Sequence, residues 1–221
     1  MALQKITSKV GRRYEDACGT AHALDLVGDR WALLVMRELM LGPRRFSDLR
    51  SGLPGLSANV MTQRLADLEA AGVLRRRRLP PPAAVQVYEL TEWGLEAEPV
   101  IRELGRWAAR SPGHDPTLPL SPTSLMLSFR TMFRPEPDPD AAPVEIAFRI
   151  DEEPYFARVR DGALTTGRGE AEAPDVVLAA APEPIAAAVY GFAPLPEGAV
   201  VEGDPAAFAR FAARFELPPK A

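Results

Sequence analysis

Apolar positions recur at helical spacing through the first part of the chain. Between 14 and 27 they are Ala17, Ala21, Leu24 and Val27, which predicts a helix there. Asp29 is placed to cap a second helix over 29–41, with Trp31, Leu34, Val35 and Leu39 turned inward and Gly42-Pro43 ending it. A short helix over 46–50 is stopped by Ser51-Gly52 and Pro54. Ser57 then caps a longer helix over 57–71, with Val60, Met61, Leu65 and Leu68 apolar and Gly72 closing it. Two strands follow, 73–79 and 85–90, joined by Pro80-Pro81-Pro82, a turn that is stiff and donates no hydrogen bonds. Thr91 caps a last helix reaching about 110, with Glu92 and Glu96 near its positive end.

From 111 to 143 there are eight prolines, which marks a linker, although 124–133 is apolar enough for a short buried helix. The period then changes. Val144, Ile146, Phe148 and Ile150 alternate cleanly, and a shorter run alternates over 155–159. Asp161-Gly162 is a tight hairpin signal leading into a strand over 163–166, and 175–180 reads as a further strand. Helices are expected over 183–190 and 204–215, the second with Phe208, Phe211 and Phe215 on one face. The expected class is α+β: a mainly helical winged helix-turn-helix domain over 1–111, a linker over 112–122, and a sheet-and-helix domain over 123–221.

Charge sharpens this division. The 221-residue chain has a net charge of −4, which by itself argues against a polyanionic partner. Residues 1–111, however, hold 17 Lys and Arg against 13 Asp and Glu, while 112–221 hold 9 against 17. A basic module suited to nucleic acid is thus joined to an acidic one with another task. No apolar run approaches the ~20 residues of a membrane span, and the polar, basic first 13 residues have no signal core. A cytoplasmic protein is expected. The single cysteine, Cys18, excludes an internal disulfide framework and, with no basic neighbour within a turn, reads as a small buried hydrophobe. Trp31, Trp93 and Trp107 read as core or interface residues. His22 and His114 are far apart, and there is no metal-ligand cluster, phosphate-cradling glycine loop or nucleophile elbow. No enzyme site, metal or cofactor is expected.

In a winged helix-turn-helix the second helix of the pair enters the major groove and meets base edges near its N-terminus. The helix over 57–71 turns Ser57, Asn59, Thr62, Gln63 and Arg64 away from its apolar face. Asn and Gln pair bidentately with adenine, and Arg with guanine. Arg44 and Arg45, ahead of the first helix of the pair, and Arg75, Arg76, Arg77 and Arg78 on the wing are placed for phosphates, which supply affinity and salt dependence rather than sequence preference.

The stretch from Cys18 to Trp107 resembles the HxlR-type family of bacterial winged-helix regulators, most specifically in RELMLGPRRFSDL and LPGLSANVMTQRLADLEAAGVL. Asp29-Arg30 stands where the family pattern has a Gly-Lys pair, and the wing tip is longer than usual. The resemblance implies a homodimer built on the first and last helices of the domain, reading two half-sites of a pseudo-palindromic operator about one turn (~10 bp) apart.

The second half, through VEIAFRI, the Asp161-Gly162 hairpin, PDVVLAA before a Pro-capped helix, and VEGDPAAFARF, resembles the sterol-carrier-protein type lipid-binding domain over about 120–217. That resemblance implies a cavity for an apolar small molecule or lipid, with Phe129, Met132, Phe133, Ile185, Val189, Tyr190, Phe192, Phe208 and Phe211 as its candidate walls. The same residues also suit a filled core, which leaves two other readings: an interaction or dimerisation module, and a lipid carrier.

Overall fold

The computed structural model describes residues 14–135, 142–197 and 199–221. Residues 1–13, which are basic, the proline-rich segment 136–141 and residue 198 lie outside the described residues. The first half runs α1 (Gly19–Val27), α2 (Ala32–Leu39), α3 (Phe46–Gly52), α4 (Ala58–Ala70), β1 (Leu74–Arg78), β2 (Gln86–Leu90), α5 (Glu92–Leu95) and α6 (Glu98–Ala109). Met61, Leu65 and Leu68 recur at i, i+4 and i+7 on α4 and bury fully against Val35, Met36 and Leu39 of α2 and Leu49 of α3. Strands β1 and β2 pair antiparallel from Leu74↔Leu90 to Arg78↔Gln86, and an isolated bridge from Arg44 to Tyr88 extends this wing. At Gly94 a Cβ would lie 2.1 Å from the Val73 carbonyl oxygen, so only glycine lets α5 settle on the start of the wing.

Local competition moves several boundaries. Asp16 accepts a hydrogen bond from the Cys18 N–H at 2.9 Å, an Asx turn that delays the first helix to Gly19. Cys18 is therefore the N-cap and is exposed, not the buried hydrophobe expected of it. Asp29 accepts from the Trp31 N–H rather than capping directly, and α2 begins at Ala32. The single helix expected over 91–110 is two, because Pro99 lacks an N–H and fits only the first turn of α6. Trp93 and Trp107 are 50% and 72% exposed, so neither is a core residue within the chain.

The second half runs α7 (Pro122–Met132), β3 (Val144–Ile150), β4 (Glu153–Arg160), β5 (Ala163–Arg168), β6 (Val176–Ala179), α8 (Pro182–Val189), β7 (Val200–Gly203) and α9 (Pro205–Ala212). The sheet order is β5-β4-β3-β6-β7, with β3 and β6 parallel and the other neighbours antiparallel. Asp161 and Gly162 both take positive φ, as a two-residue hairpin turn requires. Val144, Ile146, Phe148 and Ile150 face the same core as Leu125, Met126 and Phe129 of α7, Ile185 and Val189 of α8, and Phe211 of α9. The architecture is α+β. Among the described residues no helix is long and apolar enough to cross a membrane.

The acidic half rests directly on the basic one. Leu127 of α7 belongs to the core of the first half, not to that of its own sheet. Ser121, the cap of α7, donates to the buried Glu38 at 2.7 Å, and Arg130 pairs with Glu98 at 2.7 Å. Arg102 and Arg106 of α6 donate to the Arg130 and Thr131 carbonyls, the orphan acceptors at the end of α7. The C-terminal tail returns to the end of α6, where Lys220 Nζ donates to the Ala109, Ser111 and His114 carbonyls.

Candidate functional site

Ser57 caps α4 by accepting from the Val60 N–H. Ser57, Asn59, Thr62 and Gln63 are all exposed on the first two turns. The Thr62 hydroxyl donates back to the Ala58 carbonyl at 2.9 Å, which leaves its oxygen as an acceptor. Gln63 Nε2 donates to Asp67 at 2.7 Å on the solvent side.

Two α4 residues differ from expectation. Val60 is 40% exposed because it lies off the stripe formed by Met61, Leu65 and Leu68. An apolar side chain there suits a thymine methyl group. Arg64 instead turns back to Asp29 at 3.0 Å and Asp67 at 2.9 Å, with its side chain 20% exposed. Asp29 thus engages the arginine assigned to base reading. Arg64 ties α4 to the start of α2 in this structure.

Arg75 and Arg77 lie on one face of β1 and share Glu89 at 2.7 and 2.8 Å, while Arg76 pairs with Glu69 at 2.6 Å. Glu89 sits below the usual carboxylate range, held there first by its hydrogen bond from Arg77 and then by Arg75, against burial. These pairs orient the wing, yet their arginines stay 43–65% exposed and reach solvent. Arg45 and Arg78 are exposed as well.

Arg44 does not share that surface. Its Nη1 meets both Glu153 carboxylate oxygens at 2.8 Å, and its Nη2 donates to Tyr155 Oη at 2.7 Å, leaving a side chain 9% exposed. Tyr155 in turn donates to Glu153 at 2.7 Å. Burial, with the Glu153 carboxylate next, pushes the Tyr155 hydroxyl up to about 12. The expected phosphate contact is instead an inter-half ion pair, because Asp151 and Glu152 form a left-handed turn that presents Glu153 to the base of the wing.

The candidate walls in the second half are mostly packed on one another. Phe129 lies edge-on to Phe211 with ring centroids 5.6 Å apart, Phe211 meets Phe215 at 4.7 Å, and Phe129 meets Phe148 at 5.8 Å. Ile185 and Val189 are buried in the same cluster, Phe133 and Phe208 border it half-buried, and Phe192 is 49% exposed. Open space lies elsewhere. A cleft of about 600 Å³ runs between α2 and α6 on one side and α7 and α8 on the other, and of the nine candidates only Met132 and Tyr190 line it. The Tyr190 hydroxyl is 2.8 Å from Ser128 Oγ at its wall. No sequence periodicity marks a space whose walls are drawn from segments scattered between Leu33 and Leu217.

Cys18 stands apart from both features. The backbone N–H groups of Ala21 and Thr20 lower its thiol below the ordinary 9.0. Its alkylation by iodoacetamide in native protein is expected to be rapid and to rise with a midpoint below that value; a thiol as slow as a buried one would contradict this placement. Among the described residues no group of His, Cys, Asp or Glu is placed to hold a metal ion.

A model of the HxlR-like helix-turn-helix family matches residues 26–115 of the chain. The HTH-type transcriptional regulator YvaP of Bacillus subtilis is 36% identical over 86 residues, which are 39% of this chain and 80% of that protein. YodB, an HTH-type transcriptional regulator of the same organism, is 35% identical over 86 residues, 39% of this chain and 77% of that one. The solved reduced form of YodB matches with 31% identity and a TM-score of 0.40, covering 45% of this chain and 100% of that one. The chain belongs to the HxlR family of DNA-binding helix-turn-helix transcriptional regulators.

Proposed function

We propose that the protein is a homodimeric, cytoplasmic operator-binding regulator whose second half receives an apolar small-molecule effector. The observation that carries the reading is the exposed N-terminal face of α4, where Ser57, Asn59, Val60, Thr62 and Gln63 stand clear of the core beside the arginines of the wing. In this reading α4 meets base edges, while Arg45 and Arg75 to Arg78 meet phosphates. The functional division is 1–111 for DNA binding and dimerisation, 112–122 for the linker and 123–221 for effector response. Dimerisation through α1 and α6 is supported by Val100, Leu104 and Trp107, which recur at i, i+4 and i+7 on α6 and are 65%, 45% and 72% exposed. A sterol-carrier-like role for the second half is supported by the hairpin at Asp161-Gly162, the β6-to-α8 passage through Pro182, and the β7-to-α9 turn capped by Asp204.

Asn59→Ala or Gln63→Ala is expected to remove about 1–2 kcal/mol of discrimination between operator and scrambled duplex and to leave the salt slope alone. Arg75→Ala with Arg76→Ala should weaken both duplexes alike and lower the salt slope by roughly one per lost contact. Fluorescence anisotropy across a salt series separates the two. Identical, non-specific losses for both sets would refute the division of labour between helix and wing. The packed aromatic cluster favours a second reading, in which the sheet half is an interaction module with a filled core. Constant DNA affinity across saturating ligand would select that reading.

A further inference from the structure

The cleft between the halves has walls that no single half supplies. Leu33 and Leu34 come from α2, Ile101 from α6, Leu127 and Met132 from α7, and Leu217 from the returning tail. Among its charged side chains Arg37 and Arg102 stand against one carboxylate, Asp115, with His114 and the Tyr190 hydroxyl also at the wall. That carboxylate is already engaged, accepting from the Thr117 N–H at 2.9 Å and the Thr117 hydroxyl at 2.6 Å. Arg37 is paired with Glu38 at 2.8 Å. Arg102 is less fully engaged: one Nη is on the Arg130 carbonyl, the other is 3.8 Å from Glu98, and its side chain stays 35% exposed where it lines the cleft. A guanidinium held by one long ion pair and still partly open keeps donor capacity for an acidic group, to which Arg binds more strongly than to a neutral one. At about 600 Å³ the space is of the size that holds small ligands.

We propose that this inter-half cleft is the effector site, and that its ligand is an amphipathic anion: an apolar body lying on the leucine walls with a carboxylate or similar acidic head on Arg102. The inference rests on the effector-responsive reading, but moves the ligand from within the second half to its junction with the first and gives its apolar body an acidic head. Because α2 and α6 form one wall and α7 and α8 the other, a ligand here prefers one relative placement of the two halves. Such differential affinity is what any shift in DNA binding requires.

The test titrates full-length protein with dodecanoate and with dodecanol by calorimetry. Two variants fill the cleft without touching its packed walls: Gly105→Phe, at a helical position where a Cβ meets nothing within 4 Å, and Ala108→Trp, at an exposed position on the same wall. Both should bind dodecanoate at least about tenfold more weakly than wild type, a change of about 1.4 kcal/mol. Arg102→Gln should weaken dodecanoate about tenfold and change dodecanol less than about twofold. Undiminished dodecanoate binding by both filled variants would overturn the location while leaving effector response standing. Equal affinity for the acid and the alcohol, insensitive to Arg102→Gln, would overturn the anionic chemistry. Failure of wild type to bind dodecanoate would overturn the inference as a whole. The wider effector reading is then judged separately, by whether the purified protein has a native mass above its sequence mass and whether removing that adduct changes DNA affinity.

Discussion

Phe211→Ala is expected to destabilise the second half by about 3–5 kcal/mol, the range for emptying a packed aromatic position. The ring is fully buried, meeting Phe129 edge-on at 5.6 Å, Phe148 at 6.3 Å and Phe215 at 4.7 Å. Each such pair adds about 0.5–1.5 kcal/mol beyond the area it buries. Neighbours on several sides cannot all collapse into the vacated volume, so a cavity remains. Urea unfolding followed by circular dichroism gives the value. A cost below about 1 kcal/mol would mean that the ring already borders open space, and would return the ligand to the core of the sheet half.

Arg44→Ala is expected to lower stability by about 2–3 kcal/mol while leaving the salt dependence of DNA binding unchanged. Removing one member of a buried ion pair leaves the other uncompensated, at about 3–5 kcal/mol. The Glu153 side chain is 44% exposed, so water recovers part of that loss. The Tyr155 hydroxyl keeps its bond to Glu153 but loses its donor. Arg45→Ala, one residue on at an exposed position, should do the reverse: little change in stability and a salt slope lower by about one. Should Arg44→Ala lower the slope with stability intact, Arg44 would be a phosphate contact in the DNA-bound protein after all.

The same pair of arginines shows what a sequence carries and what it does not. Signals complete within one or two turns of chain were legible. Ser57 caps the helix expected of it, Thr91 caps a helix that stops at Leu95 instead of reaching 110, Met61, Leu65 and Leu68 set the buried stripe of α4, and Asp161-Gly162 closes a hairpin. The exposed face of α4 follows from that stripe, except that Val60, an apolar residue next to Met61, lies outside it. What depends on a distant partner was not legible. Arg44 and Glu153 are 109 residues apart, and Arg44 and Arg45 are indistinguishable until the sheet half arrives. Arg64 looked outward because nothing in its own helix shows that Asp29 stands opposite it. The cleft escaped for the same reason: apolar alternation identifies residues that avoid water, and cannot separate those that fill a core from those that line a space. Pro99 was legible in principle, since a proline near 91–110 signals a first turn rather than an interior.

In the proposed function α4 reads sequence on duplex DNA. The most direct test is fluorescence anisotropy of the full-length protein with a duplex from the region upstream of its own gene and with a scrambled duplex of equal length and composition, at physiological salt. A sequence-reading α4 gives a preference for the upstream duplex of about a thousandfold or more. Equal affinity for the two, falling in parallel as salt rises, would contradict it and leave a protein that holds phosphates without reading bases.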